Sequence, residues 1–302
     1  MAYRTLKGEA FTWHHTVRAT AADFDFFAST FGMSPRDVAL LDRDAALPHL
    51  YNYGSWHMVR CHIPDIASTR NISEALTFTL IFNKHTLATI TEGHIASLES
   101  IFAEAKRTRK VPQLLRSGAV GDVVTWLLTE VFDALDIAID AVSHRVEKLE
   151  GSLRKVAPDV VTRDLGRLRR DTHILDLMAE PSRVVLEQLM QIREPYRSPR
   201  VTAALRVCEE RLRAMHVVLD HNGRIVDTLF REHEAVLSHR TNRIIQVLTL
   251  ISVLLMPPTL VASYYGMNVA GLPFAHDVRI VSIIVVGVIV VFFVFIVRLL
   301  RR

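Results

Sequence analysis

The sequence predicts an α/β unit, then long helices, then two carboxy-terminal membrane spans. Three observations carry this reading: strand-like runs confined to residues 1–118, an apolar rhythm of threes and fours from Leu128 onward, and two late stretches with no charged side chain.

In residues 1–118, Phe11-Thr12-Trp13, Trp56-His57-Met58-Val59-Arg60-Cys61, Leu76-Thr77-Phe78-Thr79-Leu80-Ile81-Phe82 and Thr86-Leu87-Ala88-Thr89-Ile90 read as strands, being rich in aromatic and β-branched residues. Thr20 or Asp23 can cap a helix that runs through Phe31. After Gly118, one apolar face repeats as Leu128, Val131, Leu135, Ala138, Val142, Val146, Leu149 and Leu153, a stripe that packs against other helices. The opposite face carries Glu130, Asp133, Asp136, Asp140 and Glu147, either a solvated surface or an attractor of cations. A second helix is expected from about Asp159 to Ala179, interrupted or kinked at Glu180-Pro181 and continuing to Ile192, with Pro195 and Pro199 as a true break. Val201, Leu205, Cys208, Leu212, Met215, Leu219, Val226, Leu229 and Val236 then keep one rhythm, and only Gly223 interrupts it. A helix over about 200–265 would be roughly 100 Å long and would need neighbours to bundle with, expected to come from other subunits. The domains expected are therefore 1–118, 119–240 and 241–302.

Ile244–Tyr265 and Ile280–Val297 contain no charged residue. Each is long enough to cross roughly 30 Å of hydrocarbon, so they read as transmembrane helices joined by a loop over 266–279. Arg240 and Arg243 precede the first, Arg298, Arg301 and Arg302 follow the second, and the loop holds His276, Asp277 and Arg279, which places both ends in the cytoplasm. MAYRTLKGEAFTWHH has no apolar core of a signal peptide, so the amino-terminal part is expected to stay inside the cell.

Cys61 and Cys208, far apart and without CxxC spacing, fit a reducing compartment and no thiolate metal site. A net charge of +4 gives no support to nucleic-acid binding and is simply met by membrane-surface contact. No phosphate-binding glycine loop, nucleophile elbow or HExxH is present, so no enzyme and no catalytic residue is expected.

Within the first span Asn242, Ile245, Thr249, Ser252, Met256, Thr259 and Ser263 recur at helical spacing on a narrow, uncharged, partly hydroxylated face. Such a face lines a pore in a symmetric oligomer, and it also suits helix–helix packing. Pro257-Pro258 inside the span removes two amide donors. Gly266 is expected to end the helix in a left-handed conformation.

These residues resemble the CorA family of divalent-cation channels. Gly266-Met267-Asn268 matches its Gly-Met-Asn signature, Asn242-Arg243-Ile244-Ile245-Gln246-Val247-Leu248-Thr249 its Asn-x-x-Met-x-x-Leu-Thr segment, and Met256-Pro257-Pro258-Thr259 its Pro-x-Thr. Phe11-Thr12-Trp13, Phe31-Gly32-Met33-Ser34-Pro35 and Leu47-Pro48-His49-Leu50 follow the family's amino-terminal landmarks in order. The resemblance implies a homopentamer in the inner membrane with a cytoplasmic funnel, first spans around the pore and second spans outside them. It also implies a ring of Asn268 carboxamides holding a hydrated ion, Mg²⁺ foremost and Co²⁺, Ni²⁺ or Zn²⁺ as alternatives. Ile245, Leu248 and Met256 would form apolar constrictions, Asn242 the inner end and Thr259 a hydroxyl ring.

Several positions depart from the family. Leu272-Pro273-Phe274-Ala275 stands where its acidic Met-Pro-Glu-Leu is common, Ile245 replaces a methionine, the tail is Arg301-Arg302, and Val207 and Arg231 fall where some members sense magnesium with carboxylates. The non-acidic loop leans toward the related ZntB branch of proton-coupled zinc uptake. A membrane-anchored scaffold on the same fold is a third reading. The 14 histidines, His14-His15 included, show no metal-ligand spacing.

Overall fold

The computed structural model describes residues 3–41, 47–64, 75–93, 95–108, 119–152, 157–192, 198–267 and 277–300. Asn268, Leu272-Pro273-Phe274-Ala275, His276, Leu153, Pro195, Arg301 and Arg302 lie outside the described residues. The chain divides into two compact units, Met1–Phe230 and Arg231–Arg302.

In the first unit, β1 (Arg4–Lys7), β2 (Thr12–Val17), β3 (His49–Asn52), β4 (His57–Pro64), β5 (Ala75–Phe82) and β6 (Thr86–Thr91) form one sheet in the order β1-β2-β6-β5-β4-β3. Only β2 and β6 pair in parallel, with Trp13 opposite Leu87. The period-two alternation sends Trp13, Val59, Cys61, Phe78, Leu80, Phe82 and Leu87 to one core and Met58, Ile81 and Ala88 to another. Helices α1 (Ala21–Phe31) and α2 (Pro35–Leu41) contribute to the smaller core through Phe27 and Phe31, with Leu40 and Leu41 packed against it. Asp23 Oδ2 accepts from Thr20 N–H at 2.9 Å and from its hydroxyl at 2.8 Å, which fixes the start of α1. Gly32 at φ 66° closes it in the left-handed conformation.

The larger core continues from the sheet into helices α3 (Ala96–Thr108), α4 (Val120–Ser152), α5 (Pro158–Leu189) and the first part of α6 (Pro199–Tyr265). Every described member of the two long stripes up to Leu229 is buried. Pairs between α4 and α6 advance together, Thr129 with Cys208 and Ser143 with Asn222, so these helices run parallel. Pairs with α5 run in opposite order, Asp176 with His216 and Arg169 with Asp227, so α5 lies antiparallel to α6. Helix α5 continues through Glu180-Pro181, so the chain is not interrupted there. The carbonyl that Pro181 leaves without an amide belongs to exposed Leu177 and can be met by water, while Ser182 Oγ donates to Met178 O at 2.6 Å.

The second unit holds the rest of α6 and α7 (Val278–Leu300). Helix α6 is long and apolar enough to cross a membrane, and α7 adds a shorter described apolar stretch, Arg279–Val294. The two prolines leave α6 unbroken. Val236, assigned by its spacing to the buried stripe, is exposed.

Candidate functional site

The membrane part of α6 presents two different faces. Leu250, Leu254, Pro257, Pro258, Val261 and Tyr265, stepping by threes and fours, are wholly or partly covered. On α7, Ile280, Val281, Ile284, Val285, Val288 and Ile289 are partly covered at the same spacing. The other face of α6 is open in the single chain: Asn242, Ile245, Leu248, Thr249, Ser252, Met256, Thr259 and Ser263 are all exposed, Met256 by 74%. An open apolar and hydroxylated stripe of this length needs a partner of some kind, whether lipid, another helix or a hydrated lumen.

Two hydroxyls on the open face have a fixed polarity. Ser252 Oγ donates to Leu248 O at 2.9 Å and Thr259 Oγ1 donates to Leu255 O at 2.7 Å. With the proton turned back into the helix, each oxygen offers only lone pairs outward. No carboxylate stands beside them, because no Asp or Glu occurs between Ala235 and His276.

At the end of α6, Gly266 N–H donates to Ala262 O at 2.9 Å and its φ is not positive, so the expected left-handed cap is absent. The residue continues the helical bonding pattern, and a Cβ there would sit 3.1 Å from Ala262 O. Close approach, not handedness, is the reason for a glycine here. Met267 follows, exposed, and Asn268 lies beyond the described residues.

In the first unit, Asp133 and Asp136 are both engaged by Arg211, at 2.6 and 2.9 Å, so part of the acidic face of α4 is neutralised. Asn222, 4% exposed, donates from Nδ2 to Ser143 Oγ at 2.8 Å across the α4–α6 seam. It fills the gap between Leu219 and Val226 in the apolar rhythm, and that gap was its only signal in the sequence. His173, Asp176, His216 and Asp220 line a cleft of about 290 Å³ between α5 and α6. Even so, no three His, Cys, Asp or Glu among the described residues are placed to hold a metal ion. Cys61 and Cys208 are buried free thiols, and burial pushes Cys61 up to about 12, which leaves it inert.

The sequence profile of the CorA-like Mg²⁺ transporter protein family matches residues 8–302. The structure of the CorA magnesium transporter from Methanocaldococcus jannaschii superposes with a TM-score of 0.75 at 15% identity, covering 99% of this chain and 98% of that one. The full-length CmaX protein gives 0.73 at 18% identity, with 97% and 89% covered. The ZntB cytoplasmic domain from Vibrio parahaemolyticus gives 0.62 at 10%, with 76% and 89% covered. At these identities the likeness is one of fold. No curated protein sequence matches.

Proposed function

The chain belongs to the CorA-like Mg²⁺ transporter family, and from that premise we propose that it carries divalent cations, Mg²⁺ foremost, across the inner membrane. The working unit of this reading is a homopentamer in which the open face of α6 surrounds the path and α7 stands outside it. Both chain ends face the cytoplasm, and the role is transport, not catalysis.

The observation that carries the reading is the uncharged open face from Asn242 to Ser263, which leads directly into Gly266-Met267-Asn268. Mg²⁺ sheds its inner waters reluctantly, so a conducting path is better served by acceptors that bind those waters than by carboxylates that strip them. Asn268 supplies a carboxamide oxygen at the outer mouth, and Thr259 and Ser252 supply hydroxyl oxygens with lone pairs outward. Met256, Leu248 and Ile245 narrow the path between these rings without holding the ion.

The test is uptake into liposomes of Mg²⁺, Co²⁺, Ni²⁺ and Zn²⁺, with and without a pH gradient. Mg²⁺ should enter down its electrochemical gradient and Asn268→Ala should abolish entry. Full uptake by Asn268→Ala would end this reading. A second reading, proton-coupled Zn²⁺ import, draws on the carboxylate-free segment Leu272-Pro273-Phe274-Ala275 and on the fold shared with the ZntB domain. Zinc flux that collapses without the pH gradient, beside negligible Mg²⁺ flux, would select it.

A further inference from the structure

Arg240 and Arg243 lie three residues apart, just before the uncharged run of α6, and both are exposed. Their angular position separates them from the proposed ion path. At about 100° per residue, they stand roughly 160–220° around the axis from Ile245, opposite the open face. The same sector holds Leu250, Leu254, Pro258, Val261 and Tyr265, the positions that are covered within the second unit. Arg298 is also exposed and lies near the far end of α7. From Tyr265 back to Arg243 is about 33 Å of helix and from Ile280 to Arg298 about 27 Å, so an antiparallel pair brings these arginines to one membrane surface.

None of the three makes an ion pair among the described residues, whereas many arginines of the first unit do. The nearest acidic residues along the chain are Glu234 before Arg240 and Asp277 at the opposite end of α7. A guanidinium at this depth, turned away from the lumen, meets lipid phosphates and glycerol oxygens. Placed on the lumen face it would repel the cations that the path is to carry.

We propose that Arg240, Arg243 and Arg298 form a binding site for anionic phospholipid headgroups on the lipid-facing side of the inner mouth. The site rests on the pore orientation given above. It ties lipid charge to the α6–α7 pair without placing charge in the ion path.

The test uses the full chain in neutral detergent, with retained lipid counted by native mass spectrometry during titration with phosphatidylglycerol, phosphatidylcholine or inorganic phosphate. Phosphatidylglycerol should bind in preference to phosphatidylcholine, and each arginine changed to glutamine should weaken it roughly 5-fold, or on the order of 100-fold for the triple variant. Arg240→Lys, Arg243→Lys and Arg298→Lys together should retain most of the affinity. Arg279→Gln, at the opposite end of α7, should bind as the unmodified chain does and so controls for folding. Equal binding of phosphatidylglycerol by the triple glutamine variant would overturn the proposal, as would full displacement by equimolar inorganic phosphate. Lipid binding is read without ion flux. Absent cation uptake with arginine-dependent lipid binding therefore removes the transport reading alone, and the reverse pattern removes the lipid site alone.

Discussion

Acid should weaken the first unit through His15. This ring is 1% exposed on β2, between Thr89 and the Arg4–Glu99 ion pair. Trp13 Nε1 can only donate, and it does so to Thr89 Oγ1 at 3.0 Å. The same hydroxyl shares a hydrogen bond with His15 Nδ1 at 2.8 Å, and His15 Nε2 lies 3.8 Å from Glu99. Burial, and next the Arg4 charge, lower its pKa from 6.5 to about 4, although Glu99 pulls the other way. Above 6.5 the ring is neutral in both states and exerts no pH dependence. Below it, the unfolded chain takes up a proton that the folded chain refuses until about 4, so stability falls across that window. Between pH 7 and pH 5 the loss is about 2 kcal/mol, or roughly 4–8 °C in Tm for a unit of this size. All three tryptophans, Trp13, Trp56 and Trp126, lie in this unit, so their fluorescence follows it in the full chain. His15→Gln should be less stable at pH 7 yet lose about 2 kcal/mol less on acidification. His14 and His57, also lowered chiefly by burial, add to the acid sensitivity in the same direction. An unchanged pH slope in His15→Gln would refute the assignment.

Thr259→Val keeps the shape of the open face but removes its outward lone pairs, and should cut cation uptake into liposomes about 5-fold, as expected for roughly 1 kcal/mol of neutral hydrogen bonding. Asn222→Ala should cost about 1–2 kcal/mol in urea unfolding. Asn222→Leu, which restores the apolar seam between α4 and α6, should recover most of that loss. Gly32→Ala forces a Cβ into the left-handed conformation at the end of α1 and should lower stability by about 1 kcal/mol in the same assay.

The long helices were legible because their burial follows a period the sequence displays. Leu128 to Leu149 and Val201 to Leu229 were legible as packing stripes, and the structure buries them, with α6 packed on α4 and α5 of its own chain where neighbours from other subunits were expected. Strands β4, β5 and β6 were legible from their runs of aromatic and β-branched residues. The four-residue strands β1 and β3 were not, since Arg4-Thr5-Leu6-Lys7 and His49-Leu50-Tyr51-Asn52 offer too few alternations to show a pattern and owe their state to pairing with β2 and β4. Helix α3 escaped notice for a different reason: it is a charged helix that buries little beyond Leu98, Phe102 and Ala105. That α5 continues past Pro181 was not legible, because composition cannot tell that the carbonyl it frees belongs to exposed Leu177. At the candidate site, residue identity revealed the stripe on α6, but not which way its hydroxyl protons turn, nor that Gly266 extends the helix.

The direction of those protons bears on what the path can select. A Ser or Thr whose hydrogen is free can rotate to face either a cation's water or an anion, so it distinguishes little. Ser252 and Thr259 instead spend their hydrogens on Leu248 O and Leu255 O, and these two oxygens turn only lone pairs outward. In the proposed pentamer, copies of these two oxygens would accept from the outward hydrogens of a hydrated Mg²⁺. Selection for charge would thus come from the helix itself, with no ionised side chain in the membrane part of α6. The arginines that do exist near its inner end can then serve the lipid side without opposing the flow.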